Sequence, residues 1–388
     1  MVGAGILALP INLGPAGLVP ALAGTVVMWI MMTCTGLVYS RQKILVEDEN
    51  ADLPTFFGKE FGAAGQWISV GANLIILYGL LTAYLAGVSS IVINLFNLPI
   101  PQWAVMLGYF AFAALMTSFG AAFMRKGNMI AVFVMWGTFV ALIYMTMPQM
   151  DWQNEHMHDW GFLPAGLPVL LTAFHFHNII PTLCRTLKQD RGAITKAIWT
   201  GTSIGLVMNL VWILVVITAL PMTGGTANII QAFTLNNPAT VPLARVIGGT
   251  TYLNIALVFS IVAMTASFMA NGIALQSFMR DLTGLVFRTS RKLLVWPLAF
   301  LPPLLVGLLY PDVFLVALNV AGGIGIDILF GILPGVLLLK YSDGRVWRRV
   351  AGYVMIVFFA AILMVEIGQE TGLLHMHPDV EYWTGIHR

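Results

Sequence analysis

Charged residues are scarce in this chain. Asp, Glu, Lys and Arg make up 9% of 388 residues, hydrophobic residues make up 59%, and the mean hydropathy is +0.86. Soluble domains carry roughly 25% charged residues. A chain this poor in charge cannot cover a water-facing surface, so the composition excludes a soluble protein and indicates a polytopic membrane protein.

Cysteine is also nearly absent. Cys34 and Cys184 lie in or beside apolar runs and belong to no C-x-x-C motif, which excludes a disulfide framework, and we interpret both as small buried hydrophobes. No convergent set of nucleophile, acid-base or metal-binding side chains is present, so we predict that the protein is not an enzyme. We expect no cofactor and no nucleic-acid partner, and we expect membrane lipid to surround the chain.

Long apolar runs dominate the sequence. About 20 apolar residues are needed to cross about 30 Å of hydrocarbon. By that rule the sequence predicts one all-α transporter domain over residues 1–388 with eleven segments. They lie near residues 1–12, 18–40, 64–96, 102–123, 128–149, 161–184, 194–221, 246–279, 293–310, 313–339 and 350–369. The first segment is too short to span, and we expect it to be a truncated helix.

The loop charges predict the orientation. If the chain starts in the cytoplasm, every Lys and Arg except Arg245 and Arg388 falls in a loop that faces the cytoplasm. Such an excess of basic residues on one side is the usual signature of cytoplasmic loops. The pattern predicts a cytoplasmic N-terminus and a periplasmic C-terminus in a bacterial inner membrane.

Two apolar segments contain signatures of a broken helix. They are Gly3 to Pro10 (Gly-Ala-Gly-Ile-Leu-Ala-Leu-Pro) and Phe174 to Pro181 (Phe-His-Phe-His-Asn-Ile-Ile-Pro). Non-helical backbone at membrane depth is tolerated where it lines a cavity, and paired breaks in two halves point to a transporter's binding site. The prolines cannot donate, so the carbonyls of Ile6 and His177 are expected to be free. The breaks predict inverted repeats over about 1–150 and 160–340, with an extra helix over about 347–371.

These strings resemble the corresponding motifs of the bacterial aromatic amino acid permeases, the tyrosine and tryptophan permease type within the amino acid-polyamine-organocation superfamily. Thr265 to Phe268, Asp281 to Gly284, Leu301 to Pro303 and Leu309 to Pro311 extend the resemblance over almost the whole chain. The resemblance implies a leucine-transporter-like fold, eleven spans, and proton-coupled uptake of an aromatic amino acid, tyrosine first and tryptophan second.

The residues at the breaks suit a zwitterionic ligand. The amides that open a half-helix, together with the helix dipole, favour a carboxylate, and unpaired carbonyls favour an ammonium group. A close-packed interface of small residues is the alternative reading of the glycines. The predicted substrate-binding residues are Gly3, Ala4, Gly5, Ile6, Phe174, His175, Phe176, His177 and Asn178.

The side chains of the second break form the expected aromatic wall. Phe174 and Phe176 would contact a substrate ring, and a histidine would meet its polar atom. In a helix His175 and His177 would point to opposite sides, so both face the ligand only if the segment is unwound. Asn178 is a suitable N-cap for the half-helix that follows. His-x-His also occurs at 156/158 and 375/377, but no acid or cysteine accompanies these pairs in a metal-binding pattern, and we predict no metal site.

Three residues are candidates for ion coupling. Asp327 is the carboxylate that lies clearly inside a span, where an ionisable group is costly and usually functional, although hydrogen bonding between helices is an equal alternative. Thr265 and Ser267 are the hydroxyls of a possible sodium site, and they diverge around their helix. Glu366 is expected near a membrane face. A sodium-coupled or broader neutral amino acid transporter and a non-transporting amino acid sensor remain the alternatives.

Overall fold

A computed structural model describes residues 3–42, 53–96, 99–118, 120–153, 159–288 and 291–374. Within these ranges all regular structure is helical. Nine described helical segments are long and apolar enough to span a membrane, and one of them, Trp160–Ile179, contains a break. Two shorter apolar helices, Ala4–Ala16 and Gln102–Ser118, complete the set. The predicted all-α fold and its eleven apolar segments are therefore confirmed.

The helices follow the predicted segments closely. In chain order they are α1 (Ala4–Leu13), α2 (Leu18–Ser40), α3 (Leu53–Phe96), α4 (Gln102–Ser118), α5 (Gly120–Thr146), α6 (Leu163–Ala173), α7 (Ile180–Thr186), α8 (Arg191–Ala219), α9 (Ile229–Thr234), α10 (Thr240–Ile247), α11 (Thr250–Phe287), α12 (Lys292–Leu309), α13 (Phe314–Lys340) and α14 (Val346–Glu370).

The largest boundary difference is in α3. Gly62 has φ +71°, a conformation that favours glycine, and it separates an arm at 53–61 from the span that follows. The arm is fixed to two other helices. Thr55 donates to the Asp281 carboxylate of α11, with an O···O distance of 3.2 Å, and Glu60 pairs with Lys340 of α13 at an N···O distance of 2.8 Å.

The short helix α1 is the centre of the molecule. Each of its residues is buried, although the helix has only ten residues. Apolar side chains surround the whole helix, which is typical of a helix enclosed by other helices. It packs mainly against α6 and also contacts α8, α11 and α9.

The middle of α13, Ala321–Ile332, is a π-helix. Wide turns of this kind occur frequently at functional sites. The stretch is rich in glycine, and a Cβ at Gly322 would collide with the carbonyl of Pro168 in α6, while a Cβ at Gly325 would lie 2.6 Å from Ile76 of α3. The missing side chains therefore let α13 lie directly against both helices.

Candidate functional site

The N-terminus of α1 lies inside the protein. Gly3 is extended, with φ −169° and ψ −149°, and the helix begins at Ala4. The first amides of a helix have no partner within it, so those of Ala4, Gly5 and Ile6 are available to an acceptor. Ala4 and Ile6 are fully buried. The predicted carboxylate position is thus the start of a buried helix.

Two glycines of this end are in close contact with neighbouring helices. A Cβ at Gly3 would collide with the hydroxyl of Ser267 in α11, and a Cβ at Gly5 would lie 2.7 Å from the Cα of Ala173, the last residue of α6. The alternative interpretation of Gly5, as part of a close-packed interface between helices, is therefore supported. Its small size lets α1 reach the end of α6, where the second break begins.

The second break separates α6 from α7. Residues 174–176 are not helical, and His177–Ile179 forms a single 3-10 turn. No described residue donates a hydrogen bond to the carbonyl oxygens of Phe174 and His175, which suits them to an ammonium group. The prediction for His177 was wrong, because its carbonyl accepts the amide of Ile180 in the tight turn.

A chain of polar side chains joins this break to α11 and α3. Asn178 donates to Oδ1 of Asn271 at 3.5 Å, and Nδ2 of Asn271 donates to the hydroxyl of Tyr84 at 3.1 Å and to the carbonyl of Ser267 at 3.0 Å. The Ser267 hydroxyl also bonds to Tyr84. We call Asn178, Asn271, Tyr84 and Ser267 the asparagine chain. The expected N-cap role of Asn178 was wrong, since the turn that precedes α7 directs its side chain to α11 instead.

The two histidines of the break point the same way. Their rings are nearly parallel, with centroids 6.2 Å apart, and both stack on Phe330 of α13, at 5.1 Å for His175 and 4.8 Å for His177. Nε2 of His177 lies 3.0 Å from the Thr35 hydroxyl in α2. Both rings can share one side because the backbone there is not helical. In a helix they would point to opposite sides, as the sequence predicts.

The phenylalanines of the break are both buried, and at least one contributes to helix packing. Phe174 is fully buried, and the ring of Phe176 fills the space above Gly36 in α2, where a Cβ would collide with it. Contact of either ring with a substrate remains a prediction.

Sequence reasoning missed Tyr84, Asn271, Thr35 and Phe330. Asn271 could have been found, because a side-chain amide within an apolar run must satisfy its hydrogen bonds inside the protein. Tyr84 carries the same signal more weakly. Nothing in the sequence pairs Phe330 or Thr35 with the histidines, because those contacts join distant helices.

The coupling candidates fall in different places. Ser267 lies beside Gly3, whereas the hydroxyl of Thr265 lies 3.3 Å from that of Tyr109, so the two diverge as predicted. Asp327 is fully buried in the π-helical part of α13. Glu366 is 1% exposed and packs over Gly323, whose missing side chain makes room for it, while its position near a membrane face stays a prediction. It is a second carboxyl group inside a span.

The histidines at 156, 158, 375 and 377 lie outside the described residues. Among the described residues there is no group of three or more His, Cys, Asp or Glu side chains arranged to hold a metal ion. His175 and His177 instead take part in the aromatic stack on Phe330, which uses their ring faces.

Known proteins match this chain over most of its length. It is 28% identical to the tyrosine-specific transport system 1 of Haemophilus influenzae over 83% of this chain and 81% of that protein. It is 24% identical to the tryptophan-specific transport protein of Shigella flexneri over 87% of this chain and 83% of that protein. The solved structure of MhsT in complex with L-phenylalanine, 12% identical, matches with a TM-score of 0.57 and covers 94% of this chain and 97% of that one. That likeness shows the leucine-transporter fold.

A family model decides the assignment. The model for the tryptophan/tyrosine permease family matches residues 1–369, nearly the entire chain. The predicted resemblance is therefore confirmed, and with it the prediction of a multi-pass transporter rather than an enzyme. The chain belongs to the tryptophan/tyrosine permease family.

Proposed function

We propose that this protein imports aromatic amino acids, tyrosine first and tryptophan second, across the bacterial inner membrane by proton symport with alternating access. The observation that carries the proposal is that the buried start of α1 meets the break between α6 and α7. The free amides that open α1 lie beside α11 and the end of α6, and the unpaired carbonyls of Phe174 and His175 begin where α6 ends. The names of the related proteins support the aromatic substrate.

The arrangement provides for both charges of an amino acid. An ion that leaves water must be satisfied, because burying it unpaired costs several kcal/mol. The amides of Ala4 to Ile6 with the α1 dipole would hold the carboxylate, and the free carbonyls of Phe174 and His175 would hold the ammonium group. The asparagine chain fixes the distance between these two parts.

The ring of the substrate would lie beside residues 174–177. Stacking on an aromatic side chain adds about 0.5–1.5 kcal/mol beyond burial. The stacked His175 and His177 rings also carry two buried nitrogens with no partner among the described residues, Nε2 of His175 and Nδ1 of His177. A phenol or indole group would supply the missing partner, which favours tyrosine or tryptophan over phenylalanine.

The membrane arrangement completes the proposal. The bias of basic residues toward alternate loops supports a cytoplasmic N-terminus and a periplasmic C-terminus, and we propose that 1–150 and 160–340 are inverted repeats with 347–371 as the additional helix. Sodium coupling is less well supported, because Thr265 turns toward Tyr109 and away from Ser267 and Gly3.

Uptake by the purified chain in proteoliposomes tests the proposal. We expect uptake of labelled tyrosine and tryptophan when the outside is more acidic than the lumen, competition by phenylalanine, and little competition by alanine. A sodium gradient at equal pH should drive no accumulation. Binding of tyrosine without any exchange across the membrane would show a sensor, and equal competition by alanine would show a broader transporter.

A further inference from the structure

Two buried carboxyl groups have unpaired oxygens. Asp327 is 0% exposed and Glu366 is 1% exposed. Among the described residues nothing donates a hydrogen bond to either oxygen of Asp327 or to Oε1 of Glu366. An uncompensated buried carboxylate is very costly, whereas a carboxyl group that binds a proton avoids this cost.

The packing of α13 on α14 brings the two groups together. Gly323 and Gly331 both face α14, where a Cβ at Gly323 would lie 2.7 Å from Cγ of Glu366 and one at Gly331 would meet the ring of Phe359. Asp327 lies midway between these glycines, and residues four apart share a face of such a helix. Asp327 therefore lies on the face of α13 that packs against α14, where Glu366 is buried.

A cavity leads to one member of this pair. It has a volume of about 320 Å³, and its polar lining includes Asn319, Glu366, Gln369 and Glu370. This is ample space for water molecules with several polar partners. Nδ2 of Asn319 also donates to Oδ1 of Asn12 in α1 at 3.5 Å, so the cavity wall touches the helix that opens the substrate site.

The ionisable groups around the pair are few. Glu370 lies one turn from Glu366 on α14, and Phe330 on α13 carries the stacked rings of His175 and His177 together with the edge of Tyr39. Neither Asp327 nor Glu366 forms an ion pair within the described part of the chain. A proton is the ligand that such a site lacks.

We propose that Glu366 and Asp327 together form the binding site for the coupling proton, with Glu366 as the member that exchanges with the cavity. A hydronium ion in the cavity gives its proton to the Glu366 carboxylate, so an O–H bond forms and water is released. Glu366 then passes a proton to Asp327 as its own O–H bond breaks and one forms on Asp327. This inference rests on the proposed function and names the residue through which coupling enters.

Proteoliposome uptake with the membrane potential held at zero tests the site. One pH unit should drive about tenfold accumulation of tyrosine by a one-proton symporter, since about 1.4 kcal/mol corresponds to a factor of ten. Glu366→Gln and Asp327→Asn should accumulate none, while tyrosine exchange at equal pH continues. Asp312→Asn, an exposed carboxylate in the loop before α13, is the matched control and should accumulate as the native protein does.

The outcomes separate the two proposals. If the native protein exchanges no aromatic amino acid, the proposed function fails. If it accumulates tyrosine with pH and Glu366→Gln does so equally, the proton site is wrong while the function stands. Accumulation that follows sodium instead of pH also overturns the proton site.

A label on the native protein keeps the test independent of variant folding. The O–H of a protonated carboxyl group in apolar surroundings adds across a C=N bond of dicyclohexylcarbodiimide, so that the nitrogen takes the proton and the carbon bonds to the carboxyl oxygen. Mass spectrometry should find it on Glu366 in the purified native chain, with labelling that falls as the pH is raised. Glu366→Asp should retain partial pH-driven accumulation. Absence of label on Glu366 at every pH would show that this group is not a protonated, cavity-accessible acid.

Discussion

The two ends of α1 are surrounded by polar side chains of opposite character. At its start the asparagine chain joins Asn178, Asn271, Tyr84 and Ser267 through hydrogen bonds of 3.0 to 3.5 Å. At its far end, Nδ2 of Asn12 and Oδ1 of Asn319 are buried without a partner in the described residues, and Asn319 lines the same cavity as the buried Glu366.

The difference indicates two roles for buried polar groups. A polar network whose members are satisfied stabilises one arrangement of helices, whereas groups without partners cost free energy unless a ligand, a proton or water completes them. We therefore assign shape and ligand position to the start of α1 and ion coupling to its far end. Variants at each end should separate binding from coupling.

The largest effect is expected from Gly5→Val at the start of α1. The added side chain would meet the Cα of Ala173, and because both atoms are on packed helices α1 must move away from α6. Overpacking of this kind costs typically about 1–3 kcal/mol, and here it also displaces the amides that hold the carboxylate. We expect loss of tyrosine binding in a scintillation proximity assay.

Gly137→Ala is the matched control for this variant. Gly137 is exposed on α5, and a Cβ there meets nothing within 4 Å. Normal binding by Gly5→Val would show that α1 does not depend on its contact with α6.

The next largest effect is expected from Asp327→Asn in the π-helical part of α13. The amide cannot carry the proton, so the roughly tenfold accumulation driven by one pH unit should vanish, while exchange needs no net proton movement and should continue. Uptake and counterflow measured on the same vesicles check this. Loss of exchange as well would assign Asp327 to helix packing.

A moderate effect is expected from Asn271→Leu, which interrupts the asparagine chain. Tyr84 and Asn178 each lose a partner, and an unsatisfied buried polar group costs about 1–3 kcal/mol. Affinity for tyrosine should fall by about tenfold, equally at every pH, because this end takes no part in coupling. Asn254→Leu, at an exposed position of the same helix, is the control. A loss confined to accumulation would reverse the assignment of the two ends.

The smallest effect is expected from Glu60→Gln in the arm before α3. Its ion pair with Lys340 has an N···O distance of 2.8 Å, but Lys340 is 41% exposed. Exposed pairs contribute about 0.2–1 kcal/mol. We expect unchanged tyrosine affinity and a small decrease in thermal stability, measured by fluorescence-detected size exclusion. Added salt should weaken the ion pair of the native protein and so remove this difference in thermal stability. A tenfold change in affinity would show that the arm acts on the substrate site.

Much of the fold could be predicted from composition and apolar run length. Such runs must be helices in a bilayer, since each backbone group needs a partner within its own segment. The break at Phe174 to His177 could likewise be predicted, because proline interrupts a helix by its own chemistry, whereas at Gly3 to Gly5 the structure shows a helix that begins at Ala4. The family followed from the same two strings, and the match over residues 1–369 confirmed it.

The faces of the helices could not be predicted. A soluble helix shows its buried side by an apolar stripe, but these segments are apolar all round, so the sequence does not show which side meets a neighbour. The burial of Glu366 against α13 could not be predicted for this reason, and the assignment of Asn178 to a cap was wrong. Their positions depend on Gly323 and Asn271, which belong to other helices.

The sequence alone determined that this chain is a helical membrane transporter with a helix break at Phe174 to His177, because hydropathy and helix breaking are properties of each segment. Only the tertiary structure decided which polar groups share a site. It placed His175 and His177 on Phe330, joined Asn178 to Tyr84 through Asn271, and buried Glu366 against Gly323, four residues before Asp327. These pairings depend on contacts between residues that are distant in the chain, where the absence of a side chain on one helix makes room for a side chain on another.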